Sequence, residues 1–176
     1  HKFLKVEFPV DIRSDFATYE IQFGHVRRPT HFNTSWDWAR FEVPCLRWAD
    51  LSEPTFGVAV LNDSKYGFAC HGGIMRLSLL RSPKLPDEKA DMGSHHFRYA
   101  LYPHGGAMAS SGVVAAASAF NQPLSVSRTT ASPRSVSFFS TSNPAIVIDT
   151  VKKAEASGDL IVRLYESTGA LQNGTI

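Results

Sequence analysis

Disulfide chemistry is nearly absent from this sequence. Two cysteines, Cys45 and Cys70, stand in 176 residues, too few for a disulfide scaffold. Each lies in or beside an apolar run, so two buried free thiols are expected, and with them a reducing compartment. Excess charge is missing too. The formal net charge of +2 is too small to argue for nucleic acid as a partner. No apolar run approaches the roughly 18 residues of a membrane span, so no membrane partner is expected. The chain opens at His1 without a signal-like apolar segment, as a piece from the interior of a longer protein would. The seven histidines show no zinc-site spacing, and His95 and His96 point to opposite faces of one strand. Asp87, Glu88 and Asp91 miss the EF-hand spacing and are diluted by Lys84 and Lys89. There is no Gly-x-Ser-x-Gly, no phosphate-binding glycine loop and no marked pair of carboxyl groups. No catalytic residue and no bound metal are therefore expected within this chain.

What is present is strand pattern. The stretch from Phe56 to Pro86 reads as three strands with two tight turns, at Asn62-Asp63-Ser64-Lys65 and at His71-Gly72-Gly73. In the third strand Met75, Leu77, Leu79 and Arg81 share one face. On pattern alone Arg81 is either a strand-end cation in solvent or a group aimed at an anionic or polyhydroxyl partner. Asp63 is likewise either a turn residue or a site residue. Upstream, 3–10 and 17–24 read as strands that could pair as a hairpin, with Tyr19, Ile21 and Phe23 inward. Residues 25–39 read as irregular, and their Trp36 and Trp38 are either a lid on a core or a sugar-stacking platform. Short strands at 40–43 and 47–51 flank Pro44. Further strands are expected at 95–103, 136–139, 145–151 and 160–166. One short helix is expected at 113–120, capped by Ser110 or Ser111, and a surface loop at 121–135. Asn33, Asn62 and Asn173 begin glycosylation acceptor patterns, read here as turn composition.

These elements predict an all-β fold, an antiparallel β-sandwich with one short helix. Residues 1–104 form its central portion, and 105–176 continue the same β-domain after a flexible connection at 105–112.

Several longer runs carry a resemblance: Leu61 through Gly67, Arg76-Leu-Ser-Leu-Leu-Arg-Ser-Pro83, Ala90-Asp-Met-Gly93, and Phe97-Arg-Tyr-Ala-Leu-Tyr-Pro-His104. Upstream they are joined by Tyr19 through His25, Arg28-Pro-Thr-His31 and Asn33-Thr-Ser-Trp-Asp37. In that order they resemble glycoside hydrolase family 38, the class II α-mannosidases, in its cytosolic branch. The resemblance implies a galactose-mutarotase-like supersandwich and a retaining exo-α-mannosidase acting on mannose-containing oligosaccharides. It implies an Asp nucleophile and a zinc ion in an N-terminal α/β barrel absent from this chain. The β-domain would pack on that barrel and complete its pocket, with Arg81 reaching the substrate and Asp63 and Tyr66 as the next candidates. Asp63 is alternatively an orienting partner for Arg81. The implied location is cytoplasmic, with a vacuolar or lysosomal alternative. The competing reading is a carbohydrate-binding or scaffolding sandwich with no catalytic role, for which exposed Trp36, Trp38 and Trp48 would be the binding surface.

Overall fold

The computed structural model describes residues 3–130, 132 and 134–176. Ala131 and Pro133 of the expected 121–135 loop lie outside the described residues. The elements in chain order are β1 (Leu4–Pro9), β2 (Phe16–Ile21), β3 (Gly24–Pro29), α1 (Ser35–Ala39), β4 (Val43–Pro44), β5 (Trp48–Ser52), β6 (Phe56–Asn62), β7 (Gly67–His71), β8 (Ile74–Leu80), β9 (Tyr99–Gly105), a 3-10 turn (Met108–Ser110), α2 (Val113–Asn121), β10 (Ile146–Lys153) and β11 (Leu160–Glu166). One sheet runs β1-β8-β7-β4 and a second runs β3-β2-β5-β6-β9, while β10 and β11 form a ribbon of their own. No helix is long and apolar enough to cross a membrane.

The all-β expectation holds, and the alternation of β8 shows why. Met75, Leu77 and Leu79 are buried, while the residues between them are half-buried. These three meet Phe68 and Cys70 of β7, and from the other sheet Ala17, Tyr19, Ala49, Leu51, Val58 and Val60, in one core. Two antiparallel sheets facing each other across such a core are a β-sandwich. Strands β5 and β6 are buried on both faces. Their second face places Trp48, Ala59 and Leu61 against Met108, Val113 and Ala117, so the 3-10 turn and α2 add a third layer. A continuous apolar run such as Val58-Ala-Val-Leu61 is what a strand covered on both sides requires.

Several expectations are corrected. β1 does not pair with β2. It pairs with β8, Phe8 opposite Met75, whereas β2 pairs with β5, Tyr19 opposite Ala49. The intervening link buries Ile12 in the core and crosses from one sheet to the other. Phe23 is not inward. It is 54% exposed in the β2–β3 turn with φ 56°. The stretch 25–39 is not irregular, since it holds most of β3 and all of α1. Residues 136–139 form no strand, and 95–98 precede β9 without joining it. Trp48 is 1% exposed, which removes it from any binding surface. α2 lies where expected but its N-cap is Gly112, with φ 74°, and Ser111 Oγ accepts from Val113 N at 3.3 Å.

The chain forms two compact units, the first comprising residues up to 22 and 26–122, the second 23–25 and 123–176. The sequence reading divides after 104, but residues 105–122 belong with the first unit because α2 covers β5 and β6. The second unit is built on the β10–β11 ribbon, registered from Ile146 opposite Glu166 to Lys153 opposite Leu160. Its turn is tied by Ser157 Oγ, which donates to Asp159 at 2.7 Å.

Candidate functional site

Arg81, Tyr66 and Asp63 leave one end of the sandwich. In the β7–β8 pair Phe68 stands opposite Leu77, so the residues just before β7 and just after β8 emerge together. Arg81 is exposed, and its guanidinium makes no hydrogen bond or ion pair with a described residue. Backbone geometry sets its position. Ser82 adopts φ 48°, and its N–H donates to Asp91 Oδ2 at 2.9 Å, turning the chain sharply after the strand. Tyr66 is 58% exposed and anchored by its carbonyl, which accepts from Cys45 N at 2.9 Å. Asp63 is half-buried and does not orient Arg81. Its carboxylate faces Arg98 at 3.4 Å, and Arg98 in turn donates to the Phe120 carbonyl at 2.7 Å, at the end of α2. The turn itself is held by Asn62, 1% exposed, whose side chain donates to Leu46 O at 2.8 Å and accepts from Lys65 N at 2.8 Å. That burial leaves Asn62 no room for a glycan.

A second polar site lies beside the stretch of β7 that β4 does not reach. β4 pairs only with Gly67 and Phe68, and the rest of the strand is flanked by residues 29–41. The result is a shallow recess, open to solvent, lined by Tyr19, Arg28, Phe32, Asp37, Arg40, Phe41 and Cys70 among others. Its back wall is set by a capping box at α1. Thr34 Oγ1 accepts from Asp37 N at 3.2 Å, and Asp37 Oδ2 accepts from the amides of Thr34 and Asn33 at 3.1 and 3.2 Å. Burial acts to raise the Asp37 pKa, but hydrogen bonds from Thr34 and Asn33, with His31 nearby, outweigh it and hold the carboxyl below its usual range. Tyr19 is raised above its ordinary value chiefly by burial. Burial pushes the Cys70 thiol up to about 12, and Cys45 likewise. Both cysteines are free and buried, as the sequence predicts. At the rim, Phe32 stacks between Trp38 at 4.9 Å and His71 at 4.2 Å, and Trp36 and Trp38 are 77% and 63% exposed.

The sequence reading missed this recess. It took Trp36 and Trp38 as the content of the segment, whereas Thr34-x-x-Asp37, a capping-box pattern, was the signal that a short helix would turn Asp37 inward. Among the described residues no group of three or more His, Cys, Asp or Glu side chains could hold a metal ion. The implied zinc therefore has no ligand set in the described part of this chain.

The model for the glycosyl hydrolases family 38 C-terminal domain matches residues 1–89, just over half of the chain. The chain belongs to glycosyl hydrolase family 38. The family's C-terminal beta sandwich domain also matches residues 145–176. Similar relatives include alpha-mannosidase 2C1 of Homo sapiens, 57% identical over 97% of this chain and 17% of that protein, and an alpha-mannosidase of Saccharomyces cerevisiae, 66% identical over 62% of this chain and 10% of that one. The chain thus spans about a sixth of the human relative. In structure it is similar to an alpha-mannosidase from Enterococcus faecalis V583, with TM-score 0.80 and 18% identity over 94% of this chain and 20% of that one. That likeness supports the sandwich fold of the family 38 domain.

Proposed function

We propose that this chain is the β-domain portion of a retaining exo-α-mannosidase that removes terminal α-mannosides in oligosaccharide and N-glycan catabolism. The observation that carries the reading is Arg81, an exposed guanidinium with no described partner at a sandwich end, in a chain whose relatives are named alpha-mannosidases. A catalytic barrel supplied by the remaining polypeptide would hold the Asp nucleophile and the zinc. The zinc would supply positive charge at the sugar. This β-domain packs on the barrel and closes one wall of the pocket. Arg81 donates hydrogen bonds to sugar hydroxyls, and exposed Tyr66, emerging at the same end of the sandwich, is the next contact. Asp63 acts by fixing Arg98 and the turn that carries Tyr66. We place the whole enzyme in the cytoplasm, a reading supported by two buried free thiols; cell fractionation separates this from the vacuolar or lysosomal alternative.

The test is Arg81→Ala in the full-length protein, assayed on a chromogenic α-mannoside. A lost donor to the substrate lowers kcat/KM by about 10²-fold. Unchanged turnover would leave the domain a scaffold. Exposed Trp36 and Trp38 favour a second reading, a non-catalytic carbohydrate contact. It expects Trp38→Ala to weaken oligosaccharide binding while turnover of a small mannoside stays intact.

A further inference from the structure

We infer that Arg98 and Asn121, at the end of α2, are positioning residues for substrate: together they fix the turn that delivers Tyr66. This rests on the mannosidase reading, in which Arg81 and Tyr66 face the sugar, and it extends that reading to two residues no motif singled out. The β6–β9 ladder ends with Asn62 opposite Tyr99, so Asp63 and Arg98 leave it side by side. One guanidinium then spans two elements. Arg98 Nε faces Asp63 Oδ2 at 3.4 Å, and its Nη2 donates to the Phe120 carbonyl at 2.7 Å. Its Cζ also lies 4.8 Å over the Phe120 ring. Asn121 makes a second link, its Nδ2 donating to Asn62 O at 3.0 Å and to Ala117 O at 2.9 Å. The helix behind these contacts is itself held, since Val113 and Ala117 are fully buried against Trp48 and Leu61.

Exposure separates this role from a purely stabilising one. The Arg98 side chain is 54% exposed and that of Asp63 25%. An ion pair so open to water contributes little to stability. It does narrow the positions open to the turn, and the fork of a guanidinium suits it to hold two acceptors at once, which a single ammonium does not. Lys65 adds a third hold, its Nζ 4.7 Å over the ring of Phe97, the residue before Arg98. Tyr66 follows directly. Its carbonyl is tied by Cys45 N, and its ring is exposed, so the ring goes where the turn places it.

The experiment is steady-state hydrolysis of a chromogenic α-mannoside by the full-length protein at equal total protein. It compares wild type, Arg98→Met, Tyr66→Ala, the variant carrying both, and Arg81→Ala. If the loosened turn holds Tyr66 in its competent place about one tenth of the time, apparent affinity falls by that fraction, and saturating substrate restores it. Arg98→Met is therefore expected to raise KM about tenfold with kcat kept, and to raise it no further in the Tyr66→Ala background. A merely structural role gives the reverse: less folded enzyme, a lower maximal rate and an unchanged KM. An unchanged KM in Arg98→Met, or a further rise in the double variant, overturns the inference. Arg81→Ala separates that failure from failure of the mannosidase reading. If it lowers kcat/KM while Arg98→Met leaves KM alone, the pocket reading stands and the role of Arg98 falls; if neither variant changes the kinetics, both fall. If Arg81→Ala is neutral and Arg98→Met raises KM, the turn keeps its role and the Arg81 contact falls. Arg98→Lys keeps the charge without the two-pronged reach and carries the same test if Arg98→Met does not accumulate.

Discussion

At the scale of single residues, the interior is organised by a few polar groups that sequence pattern did not single out. His104 Nε2 lies 2.7 Å from Asp50 Oδ2, and Ser52 Oγ donates to Asp50 Oδ1 at 2.5 Å. His104 is on β9 and Asp50 on β5, with β6 between them, so the imidazole must pass over β6. Gly57 makes that passage possible: a Cβ there would stand 2.4 Å from His104 Cε1 and 2.5 Å from Ser52 Cβ. Gly57→Ala is therefore expected to destabilise the protein by about 2–3 kcal/mol in denaturant titration, through overpacking against a hydrogen-bonded group. A result near zero would mean that His104 can swing away at no cost. Glu20 is the second such group. It is 4% exposed, accepts from Arg47 N at 2.7 Å and takes the Arg47 guanidinium in a fork, so Glu20→Ala removes the carboxylate that holds a half-buried cation and should cost about 3 kcal/mol. The thiols give a test with opposite sign. With both pushed up to about 12 by burial, Cys45 and Cys70 are protonated at neutral pH and should resist alkylation until the protein unfolds. Rapid labelling of native protein would show that the core opens there.

At the scale of elements, period-2 patterning found β8, which faces a single core, and the two strands of the β10–β11 ribbon close to their observed ends. It did worse where tertiary contact decides. β9 buries His104 and packs Ala100 and Tyr102 inward, while Tyr99 and Leu101 are 39% and 48% exposed, so the more apolar-looking face is not the buried one. The break between β2 and β3 was hidden because Phe23 looks like a core residue, yet its φ of 56° makes it a turn residue. The turn after β11 was legible only as Ser-Thr-Gly composition. In the structure Glu166 wraps it: its carboxylate accepts from the amides of Thr168 at 2.6 Å and Gly169 at 2.7 Å, and from the Thr168 hydroxyl. Burial works to raise the Glu166 pKa, but these bonds outweigh it and lower it. A lowered native pKa means that the ionised turn stabilises the fold above the ordinary carboxylate range and that this contribution is lost as pH falls through the native value. Stability of the ribbon should accordingly drop on acidification through that range, and Glu166→Gln should flatten the dependence while costing about 1 kcal/mol at neutral pH, a figure kept small because the group is partly solvated. Unchanged pH dependence in the variant would assign the acid response elsewhere.

At the scale of the whole molecule, the sandwich and the end where Arg81 and Tyr66 emerge were readable, because strand alternation and turn chemistry are local. The Arg28 recess was not, because it needs β7, β3 and α1 brought together by a β4 too short to cover its neighbour, and no local pattern encodes that. The division into two units was also hidden, since the packing of the Ala-rich helix on β5 and β6, which ties it to the first unit, is not written in the local pattern. Between α2 and β10 the described residues form no helix or strand, and Leu124 and Val126 are each 94% exposed. Backbone that is neither paired in a sheet nor covered by side chains is where proteases enter first. Limited trypsin should therefore cut after Arg128 or Arg134 before any other basic residue, leaving one fragment that holds both sheets and α2 and another that holds the β10–β11 ribbon. Early cleavage at Lys84 or Lys89 would point the other way. It would mean that the Ser82–Asp91 hydrogen bond does not close the loop after β8, and Arg81 would then lack the fixed position that its proposed contact with substrate requires.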